Sequence, residues 1–148
     1  MTDSGSDSPV PTPEDGAARP RGRLSIRAVA MPADANPYGH IFGGWLMSQM
    51  DLAGGTHAFR RTHGRAVTVA VEAMTFHQPV FIGDEVSCYT EIVRIGRTSI
   101  AVRVEAWVRR GRQLTAPIRV TSAVFTYVAI DDNHAKREIP PGEDDLID

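Results

Sequence analysis

Apolar and polar residues alternate with a period close to two over much of the chain between residues 23 and 130, a pattern that predicts strands. The alternating segments are 23–29, 65–72, 84–96, 98–110 and 116–130. The dipeptide Gly96-Arg97 separates two of these segments and is typical of a tight hairpin turn. A further turn is predicted at Gly111.

The alternation also predicts which side chains share a face of each strand. In 98–110 the apolar face holds Ile100, Val102, Val104, Ala106 and Val108. In 84–96 the shared face holds Val86, Cys88, Thr90 and Ile92. In 65–72 strict alternation places Val67, Val69 and Val71 on one face.

One segment breaks the strand pattern. Residues 43–53 are rich in helix formers, and the helix is predicted to continue to about Phe59 or Arg60, with His63-Gly64 as its stop. Because apolar residues leave little of this helix polar, we expect it to be buried. The order of one strand, one helix and about four antiparallel strands predicts an α+β fold, in which a curved antiparallel sheet wraps around one long central helix.

Length and composition narrow the class of protein. The chain of 148 residues has the length of one domain, and its 42% hydrophobic and 23% charged residues are typical of a soluble globular protein. A net charge of −2 argues against a nucleic-acid partner held by bulk charge, and the absence of apolar runs longer than four residues excludes a membrane-spanning helix. The single cysteine, Cys88, excludes an internal disulfide, and the histidines lack metal-ligand spacing, so no metal is expected.

Both ends of the chain are polar. Residues 1–22 are expected to be a disordered tail and residues 131–148 a surface tail, which leaves 23–130 as the folded domain. The N-terminal residues lack the apolar core of a signal peptide, which favours a cytoplasmic location. A folded core this small also favours an oligomer.

Gly43 and Gly44 stand at the predicted start of the helix, after a loop that begins at Asp34. Glycines there let a ligand approach the backbone, and the free N–H groups of a helix start have a partial positive charge. Such groups polarise a carbonyl and stabilise the oxyanion that forms when the carbonyl is attacked. The alternative is a tight turn with no binding role.

Asp51 is the only acidic residue between Asp34 and Glu72, and it lies mid-helix among apolar residues. A carboxylate in such surroundings is unfavourable unless it is paired or used in chemistry. Gly54 and Gly55 follow within one turn, and two glycines inside a helix indicate close approach of another backbone or of a substrate. The alternative is an acid on a solvent-facing stripe of the helix.

The spacing of these features predicts a dimer. Asp51 follows Gly43 by eight residues, or about 12 Å along a helix that rises 1.5 Å per residue. The Asp51 carboxylate therefore cannot reach a carbonyl held at the start of its own helix. If both groups serve one reaction, two antiparallel helices from two chains must supply them, which gives two composite sites per homodimer.

A longer ordered pattern identifies a family. Residues 30–36 read AMPADAN and 41–51 read IFGGWLMSQMD, followed by HGR at 63–65, VTVAVE at 67–72, MTF at 74–76, Pro79 and Gly83-Asp84. Over roughly residues 24–130 the chain resembles the hot-dog acyl-CoA thioesterases, specifically the bacterial acyl-CoA hydrolases of the YciA type. The resemblance implies a hot-dog fold and a homodimeric unit, often assembled into a hexamer as a trimer of dimers. It also implies hydrolysis of acyl-CoA to free acid and CoA, with no metal and no cofactor other than the CoA of the substrate.

The resemblance further implies catalytic residues. Asp51 matches the family's catalytic acid, which acts as general base or as nucleophile. Gly43, with Gly44 beside it, matches the backbone N–H that polarises the thioester carbonyl, and Asn36 matches the side chain that orients the carbonyl or the water. His40 departs from the pattern, since close relatives often have Asp there. It is either a plain loop histidine or a second titrating group near the site.

For CoA binding, the resemblance implies two segments. Arg65, Thr68 and Val69 match the segment that lines the pantetheine path, and Arg97, Thr98 and Ser99 match a hairpin that contacts CoA. An arginine and hydroxyls at a turn also suit phosphate recognition. The alternative for Arg97 is a solvated turn residue.

Two other functions stay open. Hot-dog enoyl-CoA hydratases place Asp, Asn-Pro and His in one loop, which Asp34, Asn36-Pro37 and His40 resemble with one residue too many before the histidine. The two helix-start glycines and Asp51 favour hydrolysis instead. A non-catalytic acyl-CoA-binding module on the same fold would not require Asp51, and no separate DNA-binding segment is present in the sequence.

Overall fold

A computed structural model describes residues 19–111 and 116–142. Its elements are β1 (Arg23–Val29), a 3-10 turn (Pro32–Asp34), α1 (Gly43–Thr62), β2 (Ala66–Glu72), β3 (Glu85–Ile95), β4 (Ser99–Arg109) and β5 (Ile118–Ala129). The predicted α+β fold, an antiparallel sheet packed on one central helix, is confirmed, and each strand boundary lies within two residues of its prediction. The predicted tail at 1–22 lies outside the described residues up to residue 18.

The strands form one antiparallel sheet in the order β1-β3-β4-β5-β2. The predicted hairpin at Gly96-Arg97 joins β3 to β4, and the Gly96 N–H donates to the Ser99 carbonyl at 2.7 Å. β2 follows the helix in sequence but lies at the edge of the sheet, where it pairs with β5 on one side only.

The core lies between the sheet and one face of α1. The predicted apolar faces of β3 and β4 are confirmed, because the residues named for them are all buried. They pack with Phe125 of β5 and with Leu46, Met50 and Ala53 of α1. Burying each large apolar side chain contributes about 1.5–3 kcal/mol, so this layer holds the helix against the sheet.

The helix begins and ends close to its predicted bounds, but its predicted burial is only half right. His63, with φ of 59°, takes the left-handed conformation that ends the helix. Met47, Leu52 and Phe59 have 37%, 58% and 55% of their surface exposed. The prediction of all-round burial is therefore wrong for one chain, because the sheet covers only one side of α1. We call these three residues the apolar strip.

The predicted alternation in β2 is also wrong in part, because the strand contains a bulge. Thr68 pairs with Tyr127, while Ala70 pairs with the adjacent Thr126, so Val69 is the extra residue. Val67 pairs with Val128 and Val71 with Phe125, which face opposite sides of the sheet. Val67 and Val71 therefore do not share a face, and Thr68 is directed toward the helix. Bulges of this kind are frequent beside functional sites.

Residues 130–140 fold back over one end of the sheet. The Arg137 guanidinium donates to the carbonyl oxygens of Ile130 at 2.8 Å, Thr62 at 2.8 Å and Arg65 at 3.2 Å. Thr62 is the last residue of α1, Arg65 precedes β2 and Ile130 follows β5, so one side chain joins the helix end to these two neighbouring strands. Ile139 packs against the core. None of the helices within 19–111 and 116–142 is long and apolar enough to cross a membrane.

We expect Arg137→Met to lower the free energy of unfolding by about 2 kcal/mol, because it removes hydrogen bonds from a charged donor and leaves carbonyls without their partner. Thermal or urea unfolding measures the change. The control is Lys136→Met at the exposed neighbouring position, which should leave stability within about 0.5 kcal/mol of the wild type. Equal stability of the two variants would contradict this role for Arg137.

Candidate active site

Asp51 lies half-buried on α1, next to β2 and β5. The Thr68 hydroxyl donates to Asp51 Oδ1 at 2.6 Å. The Tyr127 hydroxyl lies 3.1 Å from the same Oδ1 and 3.0 Å from the Asp51 carbonyl oxygen. Asp51 is therefore not on a freely solvated stripe of the helix. Its side chain is fixed by two strands that are far away in sequence.

Gly54 makes this arrangement possible. A Cβ at position 54 would lie 2.4 Å from the Tyr127 hydroxyl oxygen and 3.2 Å from a Val104 methyl carbon, both too close. The absence of a side chain thus lets the Tyr127 ring pass under the helix and reach Asp51. The sequence predicted close approach at Gly54-Gly55, but of a backbone or a substrate. The structure places the Tyr127 side chain there.

Tyr127 is a functional residue that sequence reasoning missed. Burial, and then the charge and hydrogen bond of Asp51, raise the pKa of the Tyr127 phenol far above its ordinary value, so it stays a protonated donor. A usable signal was present, because a tyrosine on the buried face of a strand needs a partner for its hydroxyl. Asp51 is the only acidic residue of the helix that this face packs against.

A cavity of about 480 Å³ opens beside Asp51, between α1 and β2. Its walls are formed by Asp51, Leu52, Gly55, Thr56, Phe59, Arg60, Ala66, Thr68 and Tyr127. They combine apolar surface with a few polar groups, which is typical of small-molecule sites. Among the described residues, neither Asn36 nor the glycines at the start of α1 line this cavity.

The start of α1 has the geometry predicted for it. The first helical hydrogen bonds run from the Trp45 and Leu46 N–H groups to the Phe42 carbonyl, so the Gly43 and Gly44 N–H groups precede them. Both glycines are exposed. A Cβ on Gly43 would meet the ring of Phe76 at 3.4 Å. Neither N–H group has an acceptor within residues 19–111 and 116–142, so both can bind a carbonyl oxygen, but they lie about 12 Å along the helix from Asp51.

The loop before α1 is held by Asn36 and His40. Asn36 Oδ1 accepts the backbone N–H groups of Tyr38 at 2.9 Å and His40 at 3.1 Å. The His40 ring packs edge-on against Phe81, with centroids 5.1 Å apart. The structure thus shows Asn36 shaping this loop, and its predicted contact with substrate stays a prediction. The structure does not bring Asn36 to the Asp51 cavity of its own chain.

The two segments predicted to contact CoA lie at one end of the sheet. Ser99 of β4 and Val67 of β2 both pair with Val128 of β5, one on each side. The 97–99 hairpin and residues 65–69 are therefore separated by two strand spacings, or about 10 Å. Arg97 forms an exposed ion pair with Glu138, with 3.2 Å between Nη1 and Oε2. Exposed pairs of this kind are weak, so Arg97 can exchange this partner for a phosphate.

The described residues offer side chains and backbone groups for chemistry at this site. Within residues 19–111 and 116–142, no group of three or more His, Cys, Asp or Glu side chains is arranged to hold a metal ion. The arrangement offers a fixed carboxylate beside a cavity and, elsewhere on the chain, exposed N–H donors at a helix start. A carboxylate of this kind can accept a proton from water or attack a carbonyl carbon.

The two glycines after Asp51 provide a matched test of the packing. We expect Gly54→Ala to lower the free energy of unfolding by about 1–3 kcal/mol, because the new methyl group collides with Tyr127. Gly55→Ala should keep or raise stability, since its Cβ would lie 3.7 Å from the Tyr127 ring and alanine favours a helix by about 1 kcal/mol. Thermal unfolding of both variants decides the point, and equal midpoints would argue against the close approach at Gly54.

Comparison with known proteins agrees with this architecture. The family model described as "Thioesterase superfamily" matches residues 38–115. The acyl-CoA thioester hydrolase YciA of Escherichia coli is 47% identical over 123 residues, which cover 82% of this chain and 93% of the relative. A hexameric thioesterase from Yersinia pestis superposes with a TM-score of 0.79 at 48% identity, covering 84% of this chain and 100% of the other. A hexameric broad-specificity acyl-coenzyme A thioesterase gives 0.79 at 47% identity, covering 84% and 85%. The chain therefore belongs to the hot-dog thioesterase superfamily and, within it, to the acyl-CoA thioester hydrolases of the YciA type.

Proposed function

We propose that this protein hydrolyses acyl-CoA thioesters to a carboxylic acid and CoA at a site shared by two subunits. The observation that supports this most strongly is the Asp51 carboxylate, fixed by two hydroxyl donors at the wall of a 480 Å³ cavity. Relatives that are 47–48% identical over 82% of the chain are acyl-CoA thioester hydrolases. A carboxylate beside a cavity, with helix-start N–H donors supplied by a second chain, is sufficient for acyl transfer to water.

The second chain is needed because one chain leaves the site incomplete. The cavity beside Asp51 lacks the helix-start glycines, and the rigid helix keeps them about 12 Å away. Leu52 and Phe59 of the apolar strip line the same cavity as Asp51, and so does Thr68 of the edge strand β2. An exposed apolar strand edge is a template for pairing with another chain.

We infer that a second copy covers this surface across a twofold axis. Antiparallel helices then bring Asp51 of one chain to Gly43 of the partner subunit, and each dimer contains two such sites. Three solved relatives at 44–48% identity are described as hexameric, which supports a trimer of dimers here as well. A cytoplasmic location stays a prediction.

The chemistry of the water route balances with these groups. The water oxygen bonds to the thioester carbonyl carbon while Asp51 accepts one proton from the water. The carbonyl electrons move onto oxygen, where the Gly43 and Gly44 N–H groups stabilise the negative charge, each donor lowering the barrier by about 2.7–4 kcal/mol. The carbonyl then re-forms, the C–S bond breaks, and Asp51 returns the proton to the CoA thiolate.

The nucleophilic route uses the same groups. Here an Asp51 oxygen bonds to the carbonyl carbon and the CoA thiolate leaves, which gives a mixed anhydride. Water then hydrolyses the anhydride, and its proton is taken up by the thiolate. Asn36 positions the carbonyl or the water in either route, while Arg65, Thr68, Val69, Arg97, Thr98 and Ser99 line the path of CoA. No metal or separate cofactor takes part in either route.

The proposal predicts release of free thiol from acyl-CoA esters of graded chain length, followed with a thiol reagent. Asp51→Asn keeps the shape of the side chain and removes the base, so kcat should fall by about 10²–10⁴-fold. Full activity in this variant would exclude Asp51 from the chemistry. Hydration of an enoyl-CoA without thiol release would instead assign the protein to the hydratases. The absence of both reactions would indicate a non-catalytic acyl-CoA-binding module.

The same assay contains its own control. Cys88 is the only cysteine, is fully buried, and burial raises the pKa of its thiol to about 12. The folded protein should therefore give no thiol signal near pH 8, and the denatured chain should give one per subunit. A rapid signal from the folded protein alone would contradict the buried position of Cys88.

A further inference from the structure

The hydrogen bonds around Asp51 are asymmetric. Both side-chain donors, the hydroxyls of Thr68 and Tyr127, bind the same oxygen, Oδ1. Within the described part of the chain, no hydrogen bond to Oδ2 is formed. The two oxygens of this carboxylate are therefore in different environments.

We propose that Thr68 and Tyr127 are positioning residues that hold Oδ1 and thereby make Oδ2 the reacting oxygen of Asp51. This inference rests on the proposed function and adds to it an assignment at the level of single atoms. In the water route, Oδ2 accepts the proton from the water. In the nucleophilic route, Oδ2 forms the bond to the carbonyl carbon while the thiolate leaves.

The fold holds both donors in place. Thr68 and Tyr127 are direct partners in the β2–β5 register, and the bulge after Thr68 follows immediately. Gly54 leaves the space through which Tyr127 reaches the helix. The single Tyr127 hydroxyl proton is shared between Oδ1 at 3.1 Å and the Asp51 carbonyl oxygen at 3.0 Å, and both contacts hold the hydroxyl under this turn of α1.

The donors also stay donors. Burial and the neighbouring Asp51 raise the pKa of Tyr127, so its hydroxyl keeps its proton across the neutral pH range. A threonine hydroxyl likewise does not ionise in this range. Donors to Oδ1 stabilise negative charge on that oxygen, so a proton or an acyl group is directed to Oδ2.

The test compares isosteric variants. Tyr127→Phe and Thr68→Val each remove one hydroxyl and keep the packing volume, and each should lower kcat by about 10–100-fold, with KM within about twofold. Thr68→Ser restores the hydroxyl and should recover most of kcat. Circular dichroism and thermal unfolding establish that each variant is folded.

A double-mutant cycle separates positioning from a general structural effect. In the Asp51→Asn background, Tyr127→Phe should have little further effect on residual kcat, because the tyrosine acts through Asp51. Equal fold-losses in both backgrounds would overturn the proposal. A rise in KM with unchanged kcat for Thr68→Val would also overturn the proposal, because Thr68 would then act only in binding the pantetheine.

These outcomes are distinguishable from failure of the proposed function. If the wild type releases no thiol from any acyl-CoA, the proposed function fails. If the wild type is active and Asp51→Asn is not, while Tyr127→Phe and Thr68→Val keep full kcat, only the positioning inference fails.

Discussion

A straight helix fixes the distance between the two chemically useful features of this chain. The exposed N–H groups of Gly43 and Gly44 lie at the start of α1, and the Asp51 carboxylate lies two turns further along. The helix packs along the sheet through Leu46, Met50 and Ala53, so it cannot bend to close the gap of about 12 Å. The proposed shared site follows from this separation, because the Asp51 carboxylate cannot reach a carbonyl held at the start of its own helix.

The exposed surface of the single chain agrees with the proposal that a second chain completes the site. Along α1, the exposed residues include the apolar strip of Met47, Leu52 and Phe59. Beside it, β2 has valines and an unpaired backbone edge. Such a surface is unfavourable in water and becomes favourable when a second copy covers it. In the proposed dimer, assembly and activity depend on the same face of the molecule.

The sequence was sufficient for features set by local periodicity, and for a family resemblance based on long motifs. Alternation located the strands, and the left-handed stop at His63 located the end of the helix. The error about the helix came from counting apolar residues, since composition does not say whether a sheet or a second chain covers them. The error about β2 came from a single bulge at Val69, which reverses the alternation that follows it.

The hydrogen-bond partner of Asp51 could not be predicted from the sequence, for a different reason. Tyr127 lies 76 residues away in sequence, and only the β2–β5 register brings it beside Thr68 and under Gly54. Local patterns contain no information on such pairings. The glycine pair did signal a close approach, but only the fold shows that the approaching group is a hydroxyl and that it binds one oxygen of the carboxylate.

The most direct measurement of the shared site is complementation between two defective subunits. Gly43→Pro removes one of the two backbone donors, and the helix start should accept it because Phe42 already has the extended conformation that precedes proline. When this variant and Asp51→Asn are co-expressed, half of the randomly formed dimers are mixed, and each mixed dimer has one intact site. The account predicts that two nearly inactive parents give about a quarter of wild-type activity. No recovery in purified mixed dimers would show that each site is built within one chain, which contradicts the account.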